Sequence, residues 1–214
     1  MGGGRMKIAF APTLFLACLL FPRGAEADKW SMVKSEKGVT VYEQKIGGKV
    51  AFRGIGRIEG RPAKLLGILE NPKRWKHWID NFQSGRLLER KSATVKVFYQ
   101  AFDSPFPVSD RDMVYESVVS RDAKTGILSI DMKSVTHPKA PATVGVRVKL
   151  AYTRYRIEPA GKGMKVTLET LSEPGGALPG FMVNWASRSY PVTLFEGLRR
   201  EMKRTDQKEA PLPD

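Results

Sequence analysis

Apolar positions along this chain recur with two different periods, and the places where the period changes mark its elements. After a short opening segment from Trp30 and a Lys37-Gly38 turn, the β-branched run Val39-Thr40-Val41-Tyr42-Glu43 predicts a strand. Val50 to Glu59 carries Phe52, Ile55 and Ile58 and stops at Gly60, which predicts a second. Pro62 suits the first position of a helix, so Ala63 to Glu70 are expected to be helical as far as Asn71-Pro72. Lys73 to Phe82 then places Trp75, Trp78, Ile79 and Phe82 at helical spacing, with the aromatic rings expected to point inward. Further strands are predicted at Arg86–Glu89, Thr94–Phe102, Met113–Val119 and Ile127–Val135, the last two joined by a hairpin over Asp122–Gly126. Between the second and third of these, Asp103–Asp110 contains two prolines, which remove ladder donors and exclude it from a central strand. A Pro-rich excursion over His137–Thr143 leads to a last pair of strands, Val144–Glu158 and Met164–Ser172, linked by Pro159–Gly163.

The pattern changes once more at Glu173. A Gly175-Gly176 turn leads into a long helix whose first half, Phe181 to Ala186, is apolar on nearly every side. After Pro191 the apolar stripe narrows to Leu194, Phe195, Leu198 and Met202, with Arg199, Arg200 and Lys203 off it. Pro191 is expected to bend the helix, and the basic second half to face anionic lipid. The order is strand, strand, helix, helix, a run of antiparallel strands and a C-terminal helix. A curved antiparallel sheet must bury its inner face, and one long helix laid across it does so. The predicted fold is therefore α+β, a helix-grip domain over 28–204. Residues 205–214, with two prolines and mixed charge, are expected to form a disordered tail.

The first 27 residues stand apart. Arg5 and Lys7 form a positive start, Ile8–Phe21 an apolar stretch too short to span a bilayer, and Ala25-Glu26-Ala27 a small-x-small cleavage site. A secretory signal peptide over 1–27 is expected, with the protein periplasmic or secreted. Lipoprotein anchoring through Cys18 is the weaker alternative, because Phe15-Leu16-Ala17-Cys18 lacks a small residue two before the cysteine.

Cys18 is the chain's one cysteine, so cleavage after Ala27 removes disulfides, thiolate catalysis and Cys-ligated zinc together. The net charge is +14, and the leader carries only Arg5, Lys7 and Arg23 against Glu26, so most of the excess stays after cleavage. A polyanionic neighbour is implied. Export and the even spread of Lys and Arg argue against nucleic acid and for an anionic membrane surface, where each basic side chain contributes about 1 kcal/mol. A solvated surface without a partner remains open, since net charge alone governs only solubility and nonspecific attraction.

Four ordered stretches carry a family resemblance. They are Ser104-Pro105-Phe106-Pro107-Val108-Ser109-Asp110-Arg111-Asp112-Met113-Val114-Tyr115, Val146-Arg147-Val148-Lys149, Glu173-Pro174-Gly175-Gly176-Ala177-Leu178-Pro179 and Val183-Asn184-Trp185-Ala186. The chain from Trp30 to Arg204 resembles the START family of lipid-transfer domains, and looks most like its phosphatidylcholine-transfer branch. The resemblance implies an internal apolar tunnel holding one lipid between sheet and helix. It implies a gate made of Pro105, Phe106 and Pro107 with Arg111, Asp112, Gly175, Gly176 and Pro191. Tunnel walls are expected at Trp75, Trp78, Phe98, Gln100, Met113, Ser117, Arg147, Ala151, Tyr155 and Trp185.

The head-group chemistry departs from that pattern. The aromatic cage positions for a quaternary ammonium fall on Gln100, Met113 and Ala151, and the phosphate-binding arginine position falls on Trp75. Arg74, or Tyr99, Tyr152 or Tyr155 after a one-residue shift of register, would have to compensate. The acid and arginine of the family's sterol carriers match Phe98 and Ser117. The implied partner is a sterol-like lipid, a hopanoid, a fatty acid or a phospholipid, taken up by a monomer at an anionic membrane without nucleic acid.

Three residues keep two readings each at this stage. Arg147 is either a tunnel-facing partner for a phosphate, carboxylate or hydroxyl, or a structural ion pair with Asp131 or Glu169. Arg111 and Asp112 either fix the gate loop or touch ligand. No metal, cofactor or catalytic residue is expected: His77 and His137 lack metal-ligand spacing and no Ser, His and Asp set is suggested. The expected function is non-catalytic lipid carriage, with a cyclase- or hydrolase-like enzyme or a lipid-responsive scaffold as alternatives.

Overall fold

The computed structural model describes Met1 and residues 29–173, 175–176, 179–180 and 188–214. The expected leader over 1–27 and the apolar stretch Phe181 to Ala186 lie outside the described residues. Among those described, no helix is long and apolar enough to cross a membrane.

Ten strands form one sheet: β1 (Ser31–Glu36), β2 (Val39–Ile46), β3 (Lys49–Glu59), β4 (Phe82–Arg90), β5 (Val95–Phe102), β6 (Arg111–Arg121), β7 (Leu128–Ser134), β8 (Val146–Arg147), β9 (Lys149–Ala160) and β10 (Gly163–Glu173). Their spatial order is β1-β2-β3-β10-β9-β7-β6-β5-β4, every neighbour antiparallel, with β8 added in parallel to β6. Helix α1 (Pro62–Leu69) and a 3₁₀ turn (Pro72–His77) follow β3, and helix α2 (Tyr190–Met202) closes the inner face over β2 and β3. This is the helix-grip fold, a curved antiparallel sheet around a C-terminal helix.

Period-two alternation places Val39, Val41, Ile58, Phe98, Tyr115, Leu128, Ile130, Ile157, Val166 and Leu168 in one core. The stripe Leu194, Phe195, Leu198 and Met202 of α2 packs into it. Close approach is built into the chain at two places. Gly56 of β3 leaves room for the Phe195 ring, since a Cβ there would lie 2.9 Å from it. Gly197 of α2 lies against the Trp78 carbonyl, where a Cβ would overlap backbone.

Several elements differ from expectation. β1 is a mostly exposed edge strand with Val33 packed against the core, and Ser, Lys and Glu there hide it from any apolar pattern. Lys73–Phe82 is not a regular helix: the 3₁₀ turn ends at His77, Asn81 takes a positive φ of 55°, and Phe82 opens β4. Val144–Glu158 is not one strand, because Val146 and Val148 donate to the Asp110 and Asp112 carbonyls at 2.9 and 2.8 Å and hold β8 on β6.

The tail is docked. The Ala210 N–H donates to the Ala63 carbonyl at 3.0 Å, Glu209 pairs with Arg61 at 2.6 Å, and Ala210 and Leu212 pack on the core. Two apolar side chains and a buried Gln207 that donates to Glu201 outweigh the Pro-rich, charged composition that suggests disorder.

Pro191 occupies the first turn of α2, after a π turn at Arg188–Ser189. Its missing N–H is not needed at that position, and the segment before it that a bend would involve, 181–187, lies outside the described residues.

Candidate functional site

The inner face of the sheet is not completely filled. A cavity of about 460 Å³ lies between β5, β6, β7, β9 and β10, under the start of α2. Strand register decides its wall: Gln100 stands opposite Met113 and Phe102 opposite Arg111, so these four share one face and one end of the sheet. Met132, Leu150, Leu168 and Phe52 supply further apolar wall, and Tyr115 and Tyr190 add rings. The mouth carries Asp80, Asn81 and Asp103-Ser104-Pro105.

The polar groups inside are few, and most of those with assigned bonds are turned to the protein. Thr170 and Thr153 bond to each other at 2.6 Å, and the Thr170 hydroxyl also donates to the Tyr152 carbonyl at 3.1 Å. Burial pushes the Tyr115 phenol well above its usual range. Burial and then the nearby Asp80 carboxylate do the same for Tyr190. Both rings therefore stay neutral at any physiological pH.

Arg111 is the cation in this wall. It is 9 % exposed, donates from Nη1 to the Ser109 carbonyl and, at 3.4 Å, from Nη2 to the Gly175 carbonyl, and among the described residues its buried Nε has no partner. Gly175 and Gly176, both at positive φ, lie beside it. Phe106 projects from the Asp103–Asp110 loop and is 96 % exposed. Asp110 pins the loop's base, accepting from the Ser104 N–H at 2.9 Å and from Gln83 at 3.2 Å.

The expected wall is only partly assembled. Of the expected wall residues Gln100 and Met113 line the cavity, joined by Pro105 and Arg111 from the expected gate. Trp75 and Phe98 are packed in the core, their rings 5.4 Å apart, and Trp75 donates to the Leu69 carbonyl at 2.9 Å. Trp78, Ser117 and Tyr155 are also buried without lining it. Ala151 is exposed, its side chain on the outer face. Trp185 lies outside the described residues.

Arg147 is corrected to a structural role and to another partner. It sits on the outer face and pairs with Asp112, which is completely buried, while Asp131 pairs with Arg154 and Glu169 with Arg53. Asp112 also accepts from the Val144 N–H at 3.0 Å and the Tyr99 hydroxyl at 3.4 Å, so it anchors the 144–148 segment and takes no part in the cavity. Arg74 is bound to Glu201 and Asp206, and Tyr99 lies in the outer-face cluster, so neither replaces a missing head-group residue. Arg199 clamps the carbonyls of Lys37, Gly38 and Arg57, which leaves Arg200 and Lys203 as the exposed cations of the helix end. His77 is exposed, and His137 bonds to Glu89 at 3.1 Å away from the cavity.

Sequence reasoning missed Phe52, Phe102, Tyr115, Leu168 and Tyr190 as cavity residues. Parity along β5 and β6 was a usable signal for two of them. Phe102 shares its face with Gln100, and Tyr115 shares its face with Met113.

The START domain profile matches residues 20–210. This chain belongs to the START family. A START relative, the phosphatidylcholine transfer protein of Mus musculus, is 30% identical over 171 residues, covering 75% of this chain and 77% of its own. An uncharacterized protein of Pseudomonas aeruginosa, PA1579, is 29% identical over 184 residues, 82% of this chain and 87% of that one. Among solved structures, the STAR-related lipid transfer protein fragment from Xanthomonas axonopodis superposes with a TM-score of 0.73 at 23% identity, covering 83% of this chain and all of the fragment. That likeness is one of fold.

Proposed function

We propose that this protein holds a single lipid in the cavity under α2 and carries it between membranes or to an acceptor, without catalysis. START membership supports lipid binding in general terms, and the named activity of the mouse relative supports transfer. The observation that carries the reading is an apolar cavity of about 460 Å³, within the ordinary range of roughly 300–1,000 Å³ for ligand sites, on the inner face of a helix-grip sheet. Each CH₂ exposed to water costs about 0.8 kcal/mol, so a carrier must enclose the chain it moves and open at a bilayer. The exposed Phe106 beside the cavity mouth suits that step, as do the exposed Arg200 and Lys203 at an anionic surface. Neither histidine lines the cavity, which favours carriage over acid–base chemistry. The apolar stretch before Asp28 supports export to the periplasm or beyond.

Protein purified from its source should carry a lipid adduct in native mass spectrometry, and extraction should identify it. Protein that takes nothing from total lipid would refute the proposal.

A further inference from the structure

We infer that Arg111 binds the anionic group of the ligand, so that the cargo is a lipid bearing a phosphate or carboxylate and not a sterol, hopanoid or neutral glyceride. This rests on the lipid-carrying reading above and sharpens it. A guanidinium is always charged and offers five donors. Among the described residues Arg111 has only weak or neutral acceptors for two of them, the Ser109 and Gly175 carbonyls, and its buried Nε has none.

Other cations drawn into this fold are treated differently. Lys96 is paired with Glu70, Arg74 with Glu201 and Arg147 with Asp112. Among the described residues no carboxylate lies within ion-pair distance of Arg111, although it is 9 % exposed. The stretch 174–187, which leads on from the loop it touches, contains neither Asp nor Glu. A buried charge without a counter-charge is unstable unless something supplies one, and Arg111 faces the cavity.

Asp80 and Asp103 line the same cavity without reaching the guanidinium. Their charges repel an anion from the mouth and confine it to Arg111. Trp75, the position the resemblance implies for a phosphate partner, is packed in the core instead. The acyl or other apolar part then lies along Met113, Met132, Leu150 and Leu168.

The test loads the full protein with dispersed palmitate, dipalmitoyl phosphatidic acid, dioleoylglycerol or cholesterol and reads bound lipid by native mass spectrometry. Palmitate or phosphatidic acid should load at least tenfold better than the two uncharged lipids, and the better of the pair distinguishes carboxylate from phosphate. Arg111→Gln should lower acidic-lipid loading by roughly tenfold or more, the usual cost of losing a charge-assisted bond, and so remove most of the preference over dioleoylglycerol. Arg111→Lys, which keeps the charge but loses the forked donors, should fall between and serves if the glutamine variant does not fold. Preference for an uncharged lipid, or equal acidic-lipid loading by a folded variant, overturns the inference and leaves lipid carriage standing. Failure of every lipid to load onto the unaltered protein sinks both.

Discussion

At the scale of single residues, the paired and the unpaired charges divide the work. Asp112 is fully buried and serves Arg147, Val144 and Tyr99 at once. Asp112→Ala should cost about 2 kcal/mol or more in urea unfolding, at the low end for a broken buried pair because Arg147 is partly solvated. Arg147→Met should cost less, since the carboxylate keeps other donors. A loss under half a kcal/mol in Asp112→Ala would remove the anchoring role. Tyr155 gives a pH prediction. Burial, and then the neighbouring Tyr190, raise its phenol well above the ordinary 10.0. The unfolded chain therefore ionises near pH 10 while the native state keeps the proton, so this group adds no pH dependence below that and lowers stability as pH rises above it. Tyr155→Phe should make the alkaline fall in stability shallower, by up to about 1.4 kcal/mol per pH unit for the one proton. Parallel curves for the two proteins would contradict it. These residues were legible as types only. Asp112 and Arg147 stand 35 positions apart, and nothing local told that they meet on the outer face.

At the scale of elements, close approach fixes α2 on the body of the domain. Gly197 meets the Trp78 carbonyl, and backbone on both sides leaves no flexible atom to yield. Gly197→Ala should destabilise by about 1–3 kcal/mol, the range for forced overpacking, measured as a lower melting temperature with unchanged secondary structure. An unchanged melting temperature would show that the helix is free to shift. Strands with an apolar inner face, such as β2, β3, β5 and β6, were readable because alternation is a local signal. β1 was not, since this mostly exposed edge strand sets Val33 against the core without an alternating apolar pattern. The break between β8 and β9 was hidden for another reason. Apart from Gly145, Val144 to Glu158 is β-prone, and bonds to Asp110, just before β6, and to Asp112 within it divide the stretch.

At the scale of the whole molecule, a sheet, a helix and a loop enclose one space. Phe106 is the large apolar side chain this assembly leaves beside the mouth. Phe106→Asp should slow lipid transfer between vesicles severalfold while the melting temperature stays within a degree or two, because the ring contributes nothing to the core. Unchanged transfer would take the loop out of the mechanism. The sequence by itself determined most of the strands, the α+β class and the family, because periodicity, turn residues and ordered motifs are written along the chain. Only the tertiary structure decided that Gln100, Met113 and Arg111 face the cavity while Trp75 and Phe98 fill the core. It also decided that Arg147 is paired with Asp112, while among the described residues no carboxylate lies within ion-pair distance of Arg111. Which side chain meets which depends on strand register and on partners distant in sequence, and a charge is free or spent only in relation to them.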